Sequence, residues 1–267
     1  MYTGIVQAKA EVLTVARYAS FRRIVIAACQ ESATVFDDVS IGASVSIDGV
    51  CLTVIARDAV RVGAAPDAEG QATQKVAYFE IGERTAELTT LEHISVGDIV
   101  HVERSYRSGE ENGGHALYGH VDSTARLVAR CILGQKQNEG LTPITADETV
   151  IPSATTSATT HMPGGVNVMP LIASPAALSL TFEVDPSVTD FLIEKGFVGV
   201  HGASLTIDEV DRDANTFTVN LIPETLRRTT LGACAIGDSV NIEIDQMTRT
   251  IVSTIQRAMV SSSAITP

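Results

Sequence analysis

A mostly-β fold built from two tandem copies of one module is predicted by three observations. The stretch Gly49-Val50-Cys51-Leu52-Thr53-Val54 returns later as Gly202-Ala203-Ser204-Leu205-Thr206-Ile207. Other blocks recur in the same order. Gly4-Ile5-Val6 with Ala10-Glu11-Val12 matches Gly119-His120-Val121 with Ala125-Arg126-Leu127 at an offset of 115 residues. Thr89-Thr90-Leu91 matches Thr229-Thr230-Leu231, and Gly97-Asp98 matches Gly237-Asp238, both at an offset of 140. Finally, short apolar segments punctuated by Gly and Asp run through both halves, with few helix-length amphipathic windows. That pattern indicates closed β-barrels or sandwiches.

In chain order, strands are expected over Arg23–Ala28, Ser44–Ile47, Val76–Ile81 and Ile99–Glu103 in the first copy. In the second copy they are expected over Leu178–Val184, Thr216–Leu221 and Ser239–Ile244. The repeated six-residue stretch reads as a glycine turn feeding a strand. Alternation sends Leu52 and Val54 to one face, Cys51 and Thr53 to the other, and places Ser204 and Thr206 together in the second copy. A lone buried Cys is usually a small hydrophobe; its recurrence as Ser in a matching strand suggests two related pockets instead. Short helices are expected near Glu83–Leu88 and Val188–Lys195.

The offset between copies is 153 at Gly49/Gly202, so the second copy carries 38 extra residues before that point and the first carries 13 extra after it. The first copy's insertion falls near residues 59–75, where Gly63-Ala64-Ala65-Pro66-Asp67-Ala68-Glu69-Gly70 reads as a hairpin extension. The second copy's falls near residues 134–175, rich in Ser, Thr, Pro, Gly and Asn, and is expected to be a partly disordered surface loop. The expected domains are 1–115, 116–247 and a C-terminal helix and tail at 248–267. Ile251, Val252, Ile255 and Met259 form an apolar stripe on that helix. Neither copy has an equivalent, so the stripe is expected to cover another subunit or to fold back on its own barrel.

Composition removes several classes of function. A formal charge of −13 argues against a nucleic-acid partner and disfavours heavily phosphorylated ligands. No apolar run reaches the length of a membrane span and the N-terminus lacks the pattern of a secretion signal, so a cytoplasmic protein is expected. Cys29, Cys51, Cys131 and Cys234 show neither CxxC spacing nor grouping with His. Free thiols are expected, and neither zinc nor disulfides. With no Trp, base-stacking platforms are improbable, and neither glycine-rich phosphate-binding fingerprint occurs.

Taken with Gly113-Gly114-His115, Lys195-Gly196-Phe197, Leu221-Ile222-Pro223-Glu224-Thr225-Leu226 and Asn241-Ile242-Glu243-Ile244-Asp245, these blocks resemble the riboflavin synthase family across both copies, the two inserted loops excepted. The resemblance implies two six-stranded antiparallel Greek-key barrels, each binding a lumazine. It implies that two molecules of 6,7-dimethyl-8-ribityllumazine exchange a four-carbon unit, giving riboflavin and 5-amino-6-(ribitylamino)uracil, without metal or redox cofactor. It also implies a homotrimer whose active site lies between the first barrel of one subunit and the second of a neighbour. Association with lumazine synthase is left open.

By position, the resemblance places the first-barrel cradle at Gly4, Ile5, Val6, Ser44, Cys51, Leu52, Thr53, then Glu80, Ile81, Gly82, Glu83, Arg84, Thr85, and His120, Val121, Asp122. The second-barrel cradle is Lys195, Ser204, Leu205, Thr206 and Leu221, Ile222, Pro223, Glu224, Thr225, Leu226. The chemistry needs a base near neutral pKa for the acidic C7 methyl, and His120 suits that role. It allows a nucleophile at C7 of the other lumazine, from Cys51, Ser44 or a bound water. Donors to the ring carbonyls would be Ser204, Thr206 and backbone N–H groups, with Lys195 and Asp245 pairing or orienting that shell.

Some residues depart from the family pattern. His201 stands where Asp is common, Tyr118 replaces a usual Ser and adds bulk beside His120, and the 81–85 segment matches its counterpart loosely. Two rival readings are a non-catalytic lumazine- or flavin-binding antenna protein and a flavin reductase. The former loses the Gly-Gly-His and Gly-His pair that is present here. The latter needs a nicotinamide-binding domain for which there is no glycine fingerprint.

Overall fold

The computed structural model describes residues 1–29, 34–62, 72–133 and 177–263. The first copy contributes β1 (Ala8–Arg17), β2 (Phe21–Ala28), β3 (Ser44–Ile47), β4 (Val50–Val62), β5 (Ala72–Gly82), α1 (Glu83–Glu87) and β6 (Ile99–Arg104). The second contributes β7 (Ser123–Ile132), β8 (Leu178–Glu183), α2 (Pro186–Thr189), β9 (Phe197–Val200), β10 (Ala203–Asp211), β11 (Thr216–Leu221), α3 (Pro223–Arg228) and β12 (Ser239–Ile244). A terminal helix, α4, runs over Gln246–Ser263.

The sheets close into two six-stranded barrels, in the orders β1-β2-β5-β4-β3-β6 and β7-β8-β11-β10-β9-β12. Every pairing is antiparallel, and the path is a Greek key in each. The alternation expected at the repeated stretch holds. Leu52 and Val54 are buried in one barrel and Leu205 and Ile207 in the other, while Thr53 and Thr206 face out. Even the irregularities repeat. Bulges interrupt β1 after Val12 and β7 after Leu127, β4 after Val54 and β10 after Ile207. Such bulges bend a strand and let a small sheet close on itself.

All seven expected strands form, with ends moved by a few residues at most. The hairpin arms of the first insertion are present, since β4 and β5 stay paired out to Val62 and Ala72. Its tip and the whole 134–175 insertion lie outside the described residues. The second short helix is a correction. It occupies Pro186–Thr189 rather than Val188–Lys195, because the Asp185 side chain accepts the Ser187 N–H at 2.8 Å and Pro186 opens the first turn.

The barrels meet at their tightest turns. Asp48-Gly49 and His201-Gly202 each take two positive φ angles, the two-residue turn that suits a right-twisted hairpin. They lie back to back: a Cβ on Gly49 would fall 2.7 Å from the Gly202 nitrogen, and one on Gly202 would fall 2.8 Å from the Gly49 nitrogen. Two side chains related by the duplication lock this contact. His101 accepts the Thr230 N–H on Nε2 at 2.7 Å, which leaves Nδ1–H to donate to the His201 carbonyl at 2.9 Å. Asn241 does the same in reverse, accepting the Thr90 N–H at 2.8 Å and donating to the Asp48 carbonyl at 2.8 Å. An imidazole and a carboxamide thus perform one task.

The two turn side chains carry opposite proton preferences. Burial raises the Asp48 carboxyl to about 6 and lowers the His201 imidazole to about 4. Asp48 therefore contributes stability that is full below its ordinary value and is lost as pH rises toward 6. His201 contributes stability that is full above its ordinary value and is lost as pH falls toward 4. In the wild type these dependences oppose each other. His201→Asn should leave the Asp48 dependence alone, so its stability relative to wild type should fall as pH rises from 4 to 6; Asp48→Asn should show the reverse. Denaturant midpoints measured across that interval check this, and differences that do not change with pH would contradict it.

Candidate active site

The segment leading into each barrel is exchanged. Gly4 belongs to the first copy, yet its carbonyl accepts the Ser204 N–H of β10 at 2.8 Å, and Val6 packs in the second barrel's core. Gly119 belongs to the second copy, yet its carbonyl accepts the Cys51 N–H of β4 at 3.0 Å, and Val121 packs on the first core. Tyr2 and Leu117 pair with each other where the two segments run antiparallel. Neither glycine can be replaced without a collision. A Cβ on Gly4 would lie 2.4 Å from Ser204 Cβ, and one on Gly119 would lie 2.6 Å from Cys51 Cβ.

A buried carboxylate anchors each crossing. Glu103 accepts the Thr3 N–H at 2.6 Å, the Thr3 hydroxyl at 2.8 Å and the Gly4 N–H at 3.0 Å. Glu243 accepts the Tyr118 N–H at 2.6 Å and the Gly119 N–H at 3.0 Å. Burial raises both carboxyls against the pull of these donors. The sequence grouped Gly4, Ile5 and Val6 with the first barrel. The structure corrects that, because chain exchange seats this segment against Ser204. His120 does fall beside Cys51, through its neighbour Gly119.

Two half-open cradles result. The first holds Cys51 and Thr53 on β4 and Ser44 on β3, opposite Thr53 in the ladder. Cys51 is half-buried, and the fully buried Tyr2 donates its hydroxyl proton to Cys51 Sγ at 3.1 Å. Burial and this hydrogen bond raise the phenol, so Tyr2 keeps its proton. His120 is exposed, with the Tyr118 ring 6.4 Å away. At the edge, Glu80 bonds Arg23 at 2.6 Å, Gly82 caps α1, and Glu83, Arg84 and Thr85 form its first turn. Asp122 accepts the Ile244 N–H at 2.8 Å and pairs with Arg249.

The second cradle holds Ser204 and Thr206 on β10, with Leu205 turned into the core. Leu221 ends β11 in the core, Ile222 is exposed, and Pro223, Glu224, Thr225 and Leu226 form α3. Lys195 has a φ of 63° where its counterpart in the first copy is Gly42, at 87°. Both donate their N–H across to the end of the repeated strand, Lys195 to Ile207 and Gly42 to Val54, each at 2.8 Å. A side chain held in this glycine conformation is strained, and such strain clusters at functional positions. Lys195 Nζ bonds Asp208 at 2.6 Å, which raises the ammonium, while Asp245 caps α4 through the Thr248 N–H at 2.7 Å. His201, one of the departures, sits in the inter-barrel turn and not in the cradle.

The positional reading assigns no role to His115. Its Nδ1 lies 2.6 Å from Ser204 Oγ, and its ring stacks on Phe197 with centroids 5.1 Å apart. The signal was the preceding Gly114, where a Cβ would fall 2.0 Å from the Thr3 carbonyl oxygen and 2.8 Å from Ser204 Cβ. Only glycine lets the histidine reach the serine.

A cavity of about 670 Å³ lies between the barrels beside Asp48 and His201, and no expected cradle residue lines it. A smaller one of about 320 Å³ includes Thr3, Ile5 and Glu103. Cys51 and Ser204, both half-buried, line neither of these two cavities. Among the described residues there is no cluster of metal-ligating side chains, none of the four cysteines forms a disulfide, and no helix is long and apolar enough to cross a membrane.

The family model for the lumazine binding domain matches residues 3–105 and again 118–245, one match per barrel. Riboflavin synthase of Escherichia coli (strain K12) is 30% identical over 260 residues, covering 97% of this chain and 93% of the relative. The chain belongs to the riboflavin synthase family of lumazine-binding proteins. It is accordingly an enzyme, a transferase. Riboflavin synthase of Chlamydia muridarum is likewise 30% identical, covering 96% of both chains. Among solved structures, LumP complexed with riboflavin matches at a TM-score of 0.61 and 19% identity, covering 91% of this chain and 99% of that one. LumP complexed with 6,7-dimethyl-8-(1'-D-ribityl) lumazine matches at 0.59 and 18%. Those likenesses confirm the doubled barrel fold.

The carboxylate anchors make a direct prediction for this family member. Glu243→Ala leaves the Tyr118 and Gly119 N–H groups buried without an acceptor, which should cost roughly 3 kcal/mol or more. Urea unfolding measures this. A loss within the scatter of surface substitutions would show that the segment does not depend on its carboxylate.

Proposed function

We propose that the chain is a riboflavin synthase, taking two molecules of 6,7-dimethyl-8-ribityllumazine to riboflavin and 5-amino-6-(ribitylamino)uracil by four-carbon transfer. One observation carries the reading. Two matching strands present Cys51 and Ser204 at equivalent positions, each crossed by a leading segment from the other copy. Two identical flat ligands held in related cradles react as though at very high local concentration.

In this reading Gly4-Ile5-Val6, Ser44, Cys51, Thr53, the segment Glu80–Thr85, His120 and Asp122 serve one lumazine or the other by the exchanged geometry above. Lys195, Ser204, Thr206 and Leu221–Leu226 serve the second. Cys51 or Ser44 adds to C7 of one lumazine, His120 carries protons, and Ser204, Thr206 and backbone N–H groups meet charge on the ring carbonyls. No metal or redox cofactor is required, and the reduced thiols suit a cytoplasmic setting. The cradles are completed in a homotrimer, where the first barrel of one chain faces the second of its neighbour. Helix α4 fits the assembly role: Ile251 and Ile255 are each 53% exposed and Met259 is 68% exposed within the single chain.

The structural likeness to LumP supports a second reading, a protein that holds lumazine or flavin without turning it over. Incubation with lumazine separates the two: the enzyme should generate riboflavin absorbance, and stable binding without conversion would favour the antenna. His120→Ala should slow turnover by roughly 10²-fold or more, and near-wild-type turnover would reject its role. Deleting the chain from Met247 should shift sedimentation from trimer toward monomer, and an unchanged profile would contradict the assembly role of α4.

A further inference from the structure

We propose that Tyr2 is a positioning residue of the first cradle: its hydroxyl occupies Cys51 Sγ from the buried side and turns the thiol's own proton toward the lumazine. Cys51 then donates a hydrogen bond to the ring, at a carbonyl oxygen or an unsubstituted ring nitrogen. The inference rests on the riboflavin synthase reading and deepens it at the cradle on β4.

The hydroxyl is held firmly. Tyr2 is 1% exposed, and its backbone exchanges two hydrogen bonds with Leu117, at 2.7 Å and 3.0 Å. Its O–H donates to Cys51 Sγ at 3.1 Å, while Ser105 beside it spends its own proton on the Ser44 carbonyl at 2.8 Å. Burial keeps the phenol protonated, so the bond always runs in this direction. Cys51 is equally constrained. Its N–H reaches the Gly119 carbonyl at 3.0 Å, and a Cβ on Gly119 would fall 2.6 Å from its own Cβ. Backbone and neighbours leave only the rotations of the thiol free, and the tyrosine restrains those.

A thiol carries one proton and accepts weakly. With the Tyr2 hydroxyl on one lone pair, the S–H points elsewhere, and among the described residues nothing accepts it. Cys51 is half-buried with Tyr2 on its inner side, so the open direction is the cradle.

The duplication supplies a built-in comparison. At the offset of 115 residues Tyr2 becomes Leu117, itself 2% exposed and packed against Gly4 and Gly199. The second barrel thus closes the same position with hydrocarbon, and the fold asks for no hydroxyl there. A phenol placed only to fill space gains little by ending on sulfur, a weak acceptor. What the hydroxyl does to the thiol accounts for it. Donation to the ring and addition to C7 exclude each other at Cys51, because a sulfur bonded to carbon has no proton to give. The assignment therefore takes Cys51 out of the addition step.

The test titrates riboflavin, which shares the pyrimidinedione carbonyls of lumazine, calorimetrically into the assembled full-length protein, so that binding is read without turnover. Tyr2→Phe removes only the hydroxyl and should weaken one binding step roughly 5-fold, the worth of one neutral hydrogen bond. In a Cys51→Ala background the same change should have no effect, since Tyr2 acts through the sulfur. An equal loss in both backgrounds, as a merely structural role would give, or no loss in either, overturns the proposal. The infrared S–H stretching band of Cys51, assigned by its disappearance in C51A, reads the direction without any Tyr2 variant. It should move to lower frequency when riboflavin binds; a band absent before binding or unmoved by it overturns the proposal. Wild type that converts 6,7-dimethyl-8-ribityllumazine while the binding cycle shows no coupling refutes the proposal alone. Wild type that binds riboflavin and never converts lumazine refutes the riboflavin synthase reading, and the cycle and the band still decide for Tyr2. Wild type that does neither refutes both.

Discussion

The back-to-back approach of Gly49 and Gly202 is the constraint on which the rest of the molecule depends. Backbone meets backbone there, with less than the space of one methyl group between them. At that distance the two barrels are held in one orientation, and the hydrogen bonds of His101 and Asn241 to the opposite turns fix it further. Each of these side chains accepts from and donates to the opposite barrel, so the interface is directional. The duplication makes the contact nearly self-complementary, as in a symmetric dimer fused into one chain.

From that orientation the exchange of leading segments follows. Each segment is tied to its own barrel by a buried glutamate and laid across the other barrel's repeated strand. A cradle is therefore a property of both copies and cannot be assigned to either alone. This arrangement also lets the two cradles diverge. The base strand is shared, but the crossing segment brings Tyr2 to Cys51 and the Gly-Gly-His loop brings His115 to Ser204. Similar shape with different proton inventory is what two identical molecules need if they are to play unlike parts.

Much of this was legible in the sequence. Repeat offsets located the hairpin extension of the first copy, and period-two alternation set Leu52 on the face opposite Cys51 and Leu205 on the face opposite Ser204. What remained hidden was information that no local pattern carries. Chain exchange depends on which barrel a segment docks against, so Gly4 was grouped with the wrong strand. Lys195 bonds Asp208 on the adjacent strand and Asp245 caps α4, partnerships that no local pattern announces. The contact of His115 could have been suspected from Gly113-Gly114, but only coordinates reveal that Gly114 is pressed against Ser204. The second short helix shifted because a cap and a proline outweighed the apolar periodicity that followed.

Two distinct ligand sites per chain, one on each repeated strand, form the central claim. Calorimetric titration of the assembled protein with a non-reacting lumazine analogue tests it most directly. Two equivalents bound per chain, with one lost on filling the Ser204 face by Ser204→Trp and the other on filling the Cys51 face by Cys51→Trp, is the expected result. A single equivalent, or binding unaffected by either substitution, would contradict it.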